Sequence, residues 1–173
     1  MCANNFFDGL VRGSAAMDAP PAVAAAAALD LAVEISDVGP SRSMEEHEAK
    51  LGVAPGSLCK TLLVRRGEGD YVFVVVSGGR KMDWKKVRDV LGVDRASMAT
   101  REQLLDVTGF VPGTVTVLGS ATTLPVILDA VAAEFDRIAV GSGSPGVSAL
   151  VDTAAFVAAT AATVEDVTVP DDR

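Results

Sequence analysis

A lysine opens an apolar, β-branched run in Leu58-Cys59-Lys60-Thr61-Leu62-Leu63-Val64. Taking a bare ammonium out of water is costly, so lysine is uncommon in such a run. One resolution is that the stem packs while the amine snorkels to solvent. The other is that the strand entrance turns the amine into a cleft, where it can hold a phosphate, a carbonyl or a terminal hydroxyl. Two glycine-rich stretches, 109–119 and 141–146, could add backbone N–H groups for a developing oxyanion. Such a set suits an esterase acting on a polyanion with water as nucleophile. It equally suits a nucleotide-binding pocket.

Other chemistries fit less well. No Gly-Lys-Ser/Thr follows either glycine stretch, and a strand rather than a helix is expected after Gly146, which argues against P-loop and dinucleotide fingerprints. Gly141-Ser142-Gly143 does not form a nucleophile elbow. Cys59 could be a nucleophile served by His47, the single histidine, or else a buried structural cysteine. One histidine and two cysteines make no zinc pattern. Neither a metal nor a cofactor is expected.

The chain around these residues has 173 positions, enough for one domain with a real core. Apolar residues make up 49% and aromatics only 5%, so Val, Ala and Leu must build that core. No apolar run of 18 residues suggests a membrane span. Cys2 and Cys59 do not make a disulfide framework, and a reducing, cytoplasmic setting is the simplest reading. The net charge is −8, yet residues 60–101 carry ten Lys/Arg against five Asp/Glu. A basic region on an acidic protein can guide a polyanion to one face. A solvated helix face is the plainer alternative.

The elements that must position Lys60 follow from local signals. Pro20-Pro21 predicts a helix through Leu29. Alternation over Asp30–Val38 predicts a half-buried strand. Ser43 and Glu46 predict a capping box on a helix that Gly52 stops. Lys60–Arg66 and Tyr71–Ser77 predict a hairpin across Gly67–Asp70, with Val72–Val76 central because it is apolar on both faces. Asp83 predicts the start of a helix over Asp83–Leu91, and Arg95–Ala99 a short strand. Thr100 and Gln103 predict a second capping box. Strands are predicted at Pro125–Leu128, Asp136–Val140 and Val147–Val151, and Asp152 caps a last helix. This order excludes a simple doubly wound sheet. It predicts an α/β (α+β) domain with a mixed sheet or partly closed barrel and flanking helices. Residues 1–18 read as a disordered or added leader with Met17 a candidate start, 19–162 as the domain, and 163–173 as an acidic frayed tail.

Several segments in order carry a resemblance. Leu51-Gly52-Val53, Cys59-Lys60-Thr61-Leu62, Gly79-Arg80-Lys81-Met82-Asp83-Trp84-Lys85-Lys86-Val87 and Leu91-Gly92 are followed by Leu105-Asp106-Val107-Thr108-Gly109-Phe110-Val111-Pro112-Gly113 and Gly141-Ser142-Gly143-Ser144-Pro145. Together they resemble the YbaK/EbsC family of aminoacyl-tRNA deacylases, similar to the editing insertion domain of bacterial prolyl-tRNA synthetase. The resemblance covers about residues 30–160. It implies a YbaK-like single domain that hydrolyses, in trans, the ester of mischarged tRNA, commonly tRNA for proline carrying Ala, Cys or Ser, without metal or cofactor.

By that resemblance Lys60 is the catalytic-site lysine, and Gly113 belongs to a Gly-x-x-x-Pro loop whose backbone approaches substrate. Thr61, Gly141, Ser142, Gly143 and Ser148 line the substrate pocket. The implied partners are aminoacyl-tRNA and prolyl-tRNA synthetase, with no membrane, in a monomer or homodimer. Arg80, Lys81, Lys85, Lys86 and Arg88 are the candidate tRNA surface. The chain departs from the family pattern at Val117, where the loop has proline, and at Ser148, where some members carry aspartate. Trp84 replaces a smaller aliphatic and is read as core. A non-catalytic tRNA- or nucleotide-binding module of the same fold is the alternative, followed by an interaction domain with a vestigial pocket.

Overall fold

A computed structural model describes residues 18–172. The expected leader lies outside them except for Asp18. Helix α1 (Pro21–Ala28) begins with proline in its first turn. Strand β1 (Val33–Asp37) follows, and then α2 (Met44–Leu51). The Ser43 hydroxyl accepts the Glu46 N–H, as a cap should. The reciprocal half of the box is replaced, because the Glu46 carboxylate takes the Arg42 N–H instead. Gly52 ends the helix at φ 68°, a left-handed turn that glycine enters without steric cost.

The hairpin forms as β2 (Cys59–Gly67) against β3 (Asp70–Ser77), with Lys60 opposite Val76. A three-residue strand β4 (Arg80–Met82) leads into α3 (Trp84–Leu91), capped by Asp83 and closed by Gly92. Then come β5 (Ser97–Met98), α4 (Arg101–Thr108), β6 (Val126–Asp129), β7 (Arg137–Gly141), β8 (Val147–Asp152), α5 (Thr153–Thr160), β9 (Thr163–Glu165) and β10 (Thr168–Pro170). Thr100 and Gln103 make a complete capping box on α4.

Three open sheets result, ordered β5-β2-β3-β6-β9, β1-β8-β7 and β10-β4. The largest is mixed, since β2 and β3 are antiparallel while β3–β6 and β6–β9 are parallel. A parallel bridge from Leu58 to Ala139 links it to the sheet of β7 and β8. The architecture is therefore a mixed α/β domain with flanking helices, and its sheets stay open. As expected, β3 is central, and Val72, Phe73, Val74, Val75 and Val76 are all buried. Each such valine contributes about 1.5–3 kcal/mol through the water it leaves. One core packs Leu63, Phe73, Leu128, Val140 and Phe156 between the sheets. A second lies beneath α3, where Val64, Val74, Val87 and Val167 meet, with Trp84 packed against them.

Two expectations are corrected. The strand expected over Arg95–Ala99 shrinks to Ser97 and Met98, which pair with Arg65 and Val64 at the sheet edge. The tail expected to fray is paired over much of residues 163–170. Its β9 extends the large sheet beside β6, and its β10 pairs with β4. Three-residue strands carry too little alternation to be read locally, and their pairing depends on segments far away in the chain.

Candidate active site

Lys60 reaches its place because α2 and the turn after it are tied together. The buried Glu48 carboxylate accepts the N–H groups of Gly56 and Leu58 at 2.7 and 3.1 Å. Gly78 then donates its N–H to the Leu58 carbonyl. A Cβ on Gly78 would stand 3.0 Å from that carbonyl and 3.2 Å from the Glu48 carboxylate, so glycine lets the two segments approach without a shift. The Lys60 amine neither dangles in solvent nor lies bare in the core. It donates to the Arg80 carbonyl at 3.0 Å.

Lys60 lies on the wall of a cavity of about 650 Å³. Thr61, Gly113, Gly141 and Ser148 share this wall, so the structure brings together most of the residues expected at the site. The Thr61 hydroxyl is buried and has no hydrogen-bond partner among the described residues. The loop at 111–115 closes one side of the cavity, with Gly113 at φ +91°. It approaches β7 so closely that a Cβ on Gly141 would sit 2.5 Å from the Val115 carbonyl oxygen.

Ser142 and Gly143 are placed differently from the expectation, behind the wall. The Ser142 hydroxyl donates to the Val147 carbonyl at 2.8 Å, and its own carbonyl accepts the Ala22 N–H. Gly143, at φ +89°, leaves room for Phe110 and Pro21, each 2.8 Å from where a Cβ would stand. These two residues brace the loop against α1.

Sequence reasoning passed over Arg42 and Ser41, and considered His47 only as a partner for Cys59. All three line the cavity. His47 hydrogen-bonds through Nδ1 to Ser41 at 3.0 Å and through Nε2 to Ser148 at 2.9 Å. Burial, with a smaller effect from Lys50, pushes its imidazole below the usual histidine range. The ring is thus neutral at pH 7. No local signal marks the contact with Ser148, which spans 101 positions. Cys59 is a structural cysteine. Its thiol donates to the Ser57 carbonyl, and burial, then Asp129 and Glu48, push it up to about 12.

The candidate tRNA surface is more neutral than its sequence. The half-buried Arg80 guanidinium donates to the Thr168 hydroxyl at 2.6 Å and lies 3.9 Å from buried Asp129. Lys81 faces Asp171, Lys85 pairs with Asp89, and Lys86 pairs with Asp166. The β9–β10 segment brings two of these carboxylates to the basic region. Arg88 lies half-buried on α3.

The model of the aminoacyl-tRNA editing domain family matches residues 38–159, which include Lys60, the loop at 111–115 and Ser148. The chain belongs to this family. It is 32% identical over 88 residues to a proline–tRNA ligase of Trichlorobacter lovleyi, a match covering 51% of this chain and 15% of the ligase. It is 27% identical over 104 residues to an Enterococcus faecalis protein provisionally named Cys-tRNA(Pro)/Cys-tRNA(Cys) deacylase EbsC, covering 60% of this chain and 63% of that protein. The chain thus spans less than two thirds of the length of either relative. A crystal structure described provisionally as a trans-editing enzyme for prolyl tRNA synthetase superposes with a TM-score of 0.78 at 25% identity. That match covers 87% of this chain and 98% of the other. Among the described residues no helix is long and apolar enough to cross a membrane.

Proposed function

We propose that this chain is a trans-acting aminoacyl-tRNA deacylase that hydrolyses the ester of mischarged tRNA, with tRNA for proline carrying Ala, Cys or Ser as its substrates. The observation that carries this reading is the charge of the cavity. Its wall includes Lys60 and Arg42 and, among the described residues, no carboxylate. The 3′ end of an aminoacyl-tRNA brings phosphates and an ester carbonyl, both of which favour such a wall. A volume of about 650 Å³ lies within the usual range for small-molecule sites and has room for a terminal adenosine with its amino acid.

In this reading Lys60 and the backbone around Gly113 hold the ester, and the buried Thr61 hydroxyl gains the partner it lacks. Thr61, Gly141 and Ser148 form the amino-acid wall, with Ser142 and Gly143 supporting it. The names of the ligase and EbsC relatives support tRNA for proline as the carrier. Prolyl-tRNA synthetase is the functional partner, and the cytoplasm is the setting that such a substrate implies. Lys81, Lys85, Lys86 and Arg88 meet the tRNA body, where phosphates can displace exposed carboxylates such as Asp89 and Asp166. Arg80 is held inward and acts on the site through its carbonyl.

The test is release of free amino acid from Ala-, Cys- and Ser-charged tRNA for proline, beside correctly charged Pro-tRNA. Release from at least one of the three, with Pro-tRNA spared, supports the proposal. Binding of all three without release overturns it in favour of a non-catalytic module.

A further inference from the structure

His47 is the side-chain base on the cavity wall. Among the described residues no carboxylate lines the cavity, the Cys59 thiol stays protonated, and the Lys60 amine is already donating to the Arg80 carbonyl. A neutral imidazole has one donor and one acceptor nitrogen, and here each faces a serine hydroxyl. We propose that Ser41, His47 and Ser148 form a proton relay that activates the hydrolytic water, an inference that rests on the deacylase reading above.

In the relay, His47 Nδ1–H donates to Ser41 Oγ, and Nε2 accepts the Ser148 hydroxyl proton. Half-exposed Ser41 can accept from the ring while giving its own proton to solvent. Ser148 is only 4% exposed and lies on the wall, and a hydroxyl that donates to the ring keeps lone pairs with which to accept a proton from what the cavity holds. The attacking water and the substrate ammonium are both donors, and they favour this tautomer.

The step balances without any further reactant. Water oxygen bonds to the ester carbonyl carbon, the water proton passes to Ser148 Oγ, and the Ser148 proton passes to His47 Nε2. The tetrahedral oxyanion collapses, and the bond from carbonyl carbon to ribose oxygen breaks. The leaving ribose oxygen takes the proton back from His47 through Ser148. The products are free amino acid and a terminal ribose hydroxyl. Ser148 is the catalytic residue, and His47 is the positioning residue that acts through it.

The surroundings keep the ring neutral and ready to accept. Lys50 and Glu46 lie on its own helix and pair with each other. Arg42 precedes that helix, and Lys60 enters from β2. Strand β1 ends in Asp37, whose carboxylate accepts the Gly39 N–H. The wall residues from 111–115 and 144–148 include no ionisable side chain.

The experiment joins two measurements. Nitrogen-15 NMR of the single imidazole reads its tautomer and titration directly. The expected result is Nδ1 protonated, Nε2 bare and a pKa below 6.5, with the Nε2 resonance moving in Ser148→Ala. An Nε2-protonated tautomer overturns the relay. Deacylation is then followed from pH 5 to 8 in wild type, His47→Gln and Ser148→Ala, with folding checked by circular dichroism. Glutamine can still bond to Ser148 but does not titrate in this range. The relay predicts an acid limb in wild type at the NMR pKa, absent in His47→Gln, and a loss in kcat/KM of about 100-fold, at the low end for acid–base assistance. The same acid limb in His47→Gln, with wild type active, overturns the relay and leaves the deacylase reading standing. A wild type inactive on all three charged tRNAs overturns both.

Discussion

Glu48 Oε1 accepts the Leu58 N–H at 3.1 Å, and this bond ties α2 to the chain two residues before Lys60. The same oxygen takes the Gly56 N–H, so one buried carboxylate holds the whole turn that delivers the lysine. Glu48→Ala leaves two backbone donors without their charged acceptor. The expected cost is about 1.5–3 kcal/mol, the range for hydrogen bonds to charged groups. Urea denaturation reads this as a lower midpoint at an unchanged slope. Glu48→Gln keeps the amide oxygen and should lose distinctly less. Equal losses in the two variants would mean that the carboxylate is not what holds the turn.

The approach of the 111–115 loop to β7 gives a steric prediction. Gly141→Ala puts a methyl 2.5 Å from the Val115 carbonyl oxygen, which belongs to backbone and cannot swing aside. Overpacking of this kind costs about 1–3 kcal/mol. The loop or β7 must shift where both line the cavity, so deacylation should fall further than stability does. An alanine variant with wild-type kcat/KM would remove this loop from the site.

Behind Lys60 lies a second network. Asp129 is completely buried, and the Thr168 hydroxyl sits 3.0 Å from both of its oxygens while accepting from Arg80. Thr168→Val strips the carboxylate of this donor and should destabilise by about 1–3 kcal/mol. Because the Arg80 carbonyl accepts from Lys60, the variant should also raise the KM for charged tRNA. A threonine that matters only for folding would leave KM unchanged in the surviving folded protein.

How much of this could be read from the chain depends on how local the physics is. The hairpin around Lys60, the left-handed Gly52 and Gly92 stops and the caps at Ser43, Asp83, Thr100 and Asp152 are decided within a few residues. All of them were legible. The pairing of β10 with β4 was not, because Val167 and Thr168 gain their burial from residues some eighty positions earlier. The same pairing neutralises the basic segment by bringing Asp166 and Asp171 to Lys86 and Lys81. Lys60 could be picked out by its apolar surroundings, whereas the carbonyl that receives its amine could not. Ser142 and Gly143 shared the glycine-rich pattern of Gly141, and only the packing against Phe110 and Pro21 separates wall from brace.

Two titrations follow from burial. The Cys59 thiol is pushed up from 9.0 to about 12, so the folded state holds a proton that the unfolded state gives up. Its stabilising effect is full below pH 9 and is lost as pH rises toward 12. His47 is displaced downward, so its effect is full above pH 6.5 and is lost as pH falls through the folded value. In a Cys2→Ser background, iodoacetamide at pH 8 should modify Cys59 only after denaturant is added. Rapid labelling of the native protein would contradict the burial of this thiol.

For the tRNA body, the expectation is electrostatic. Each lysine removed from Lys81, Lys85 and Lys86 should weaken binding and lower the salt slope by about one where it meets a phosphate. Filter binding between 50 and 200 mM salt reads both effects. A slope unchanged in the triple alanine variant would move the tRNA to another face.

The central claim is that the cavity around Lys60 hydrolyses the aminoacyl ester. It is tested most directly by single-turnover deacylation of Ala-, Cys- and Ser-charged tRNA for proline, with wild type and Lys60→Ala side by side and both confirmed folded. Release by wild type and a loss of at least about 100-fold in the variant are expected, the scale seen when one electrostatic stabiliser is removed from such a site. Equal release by the two proteins would contradict the claim and return Lys60 to a structural role.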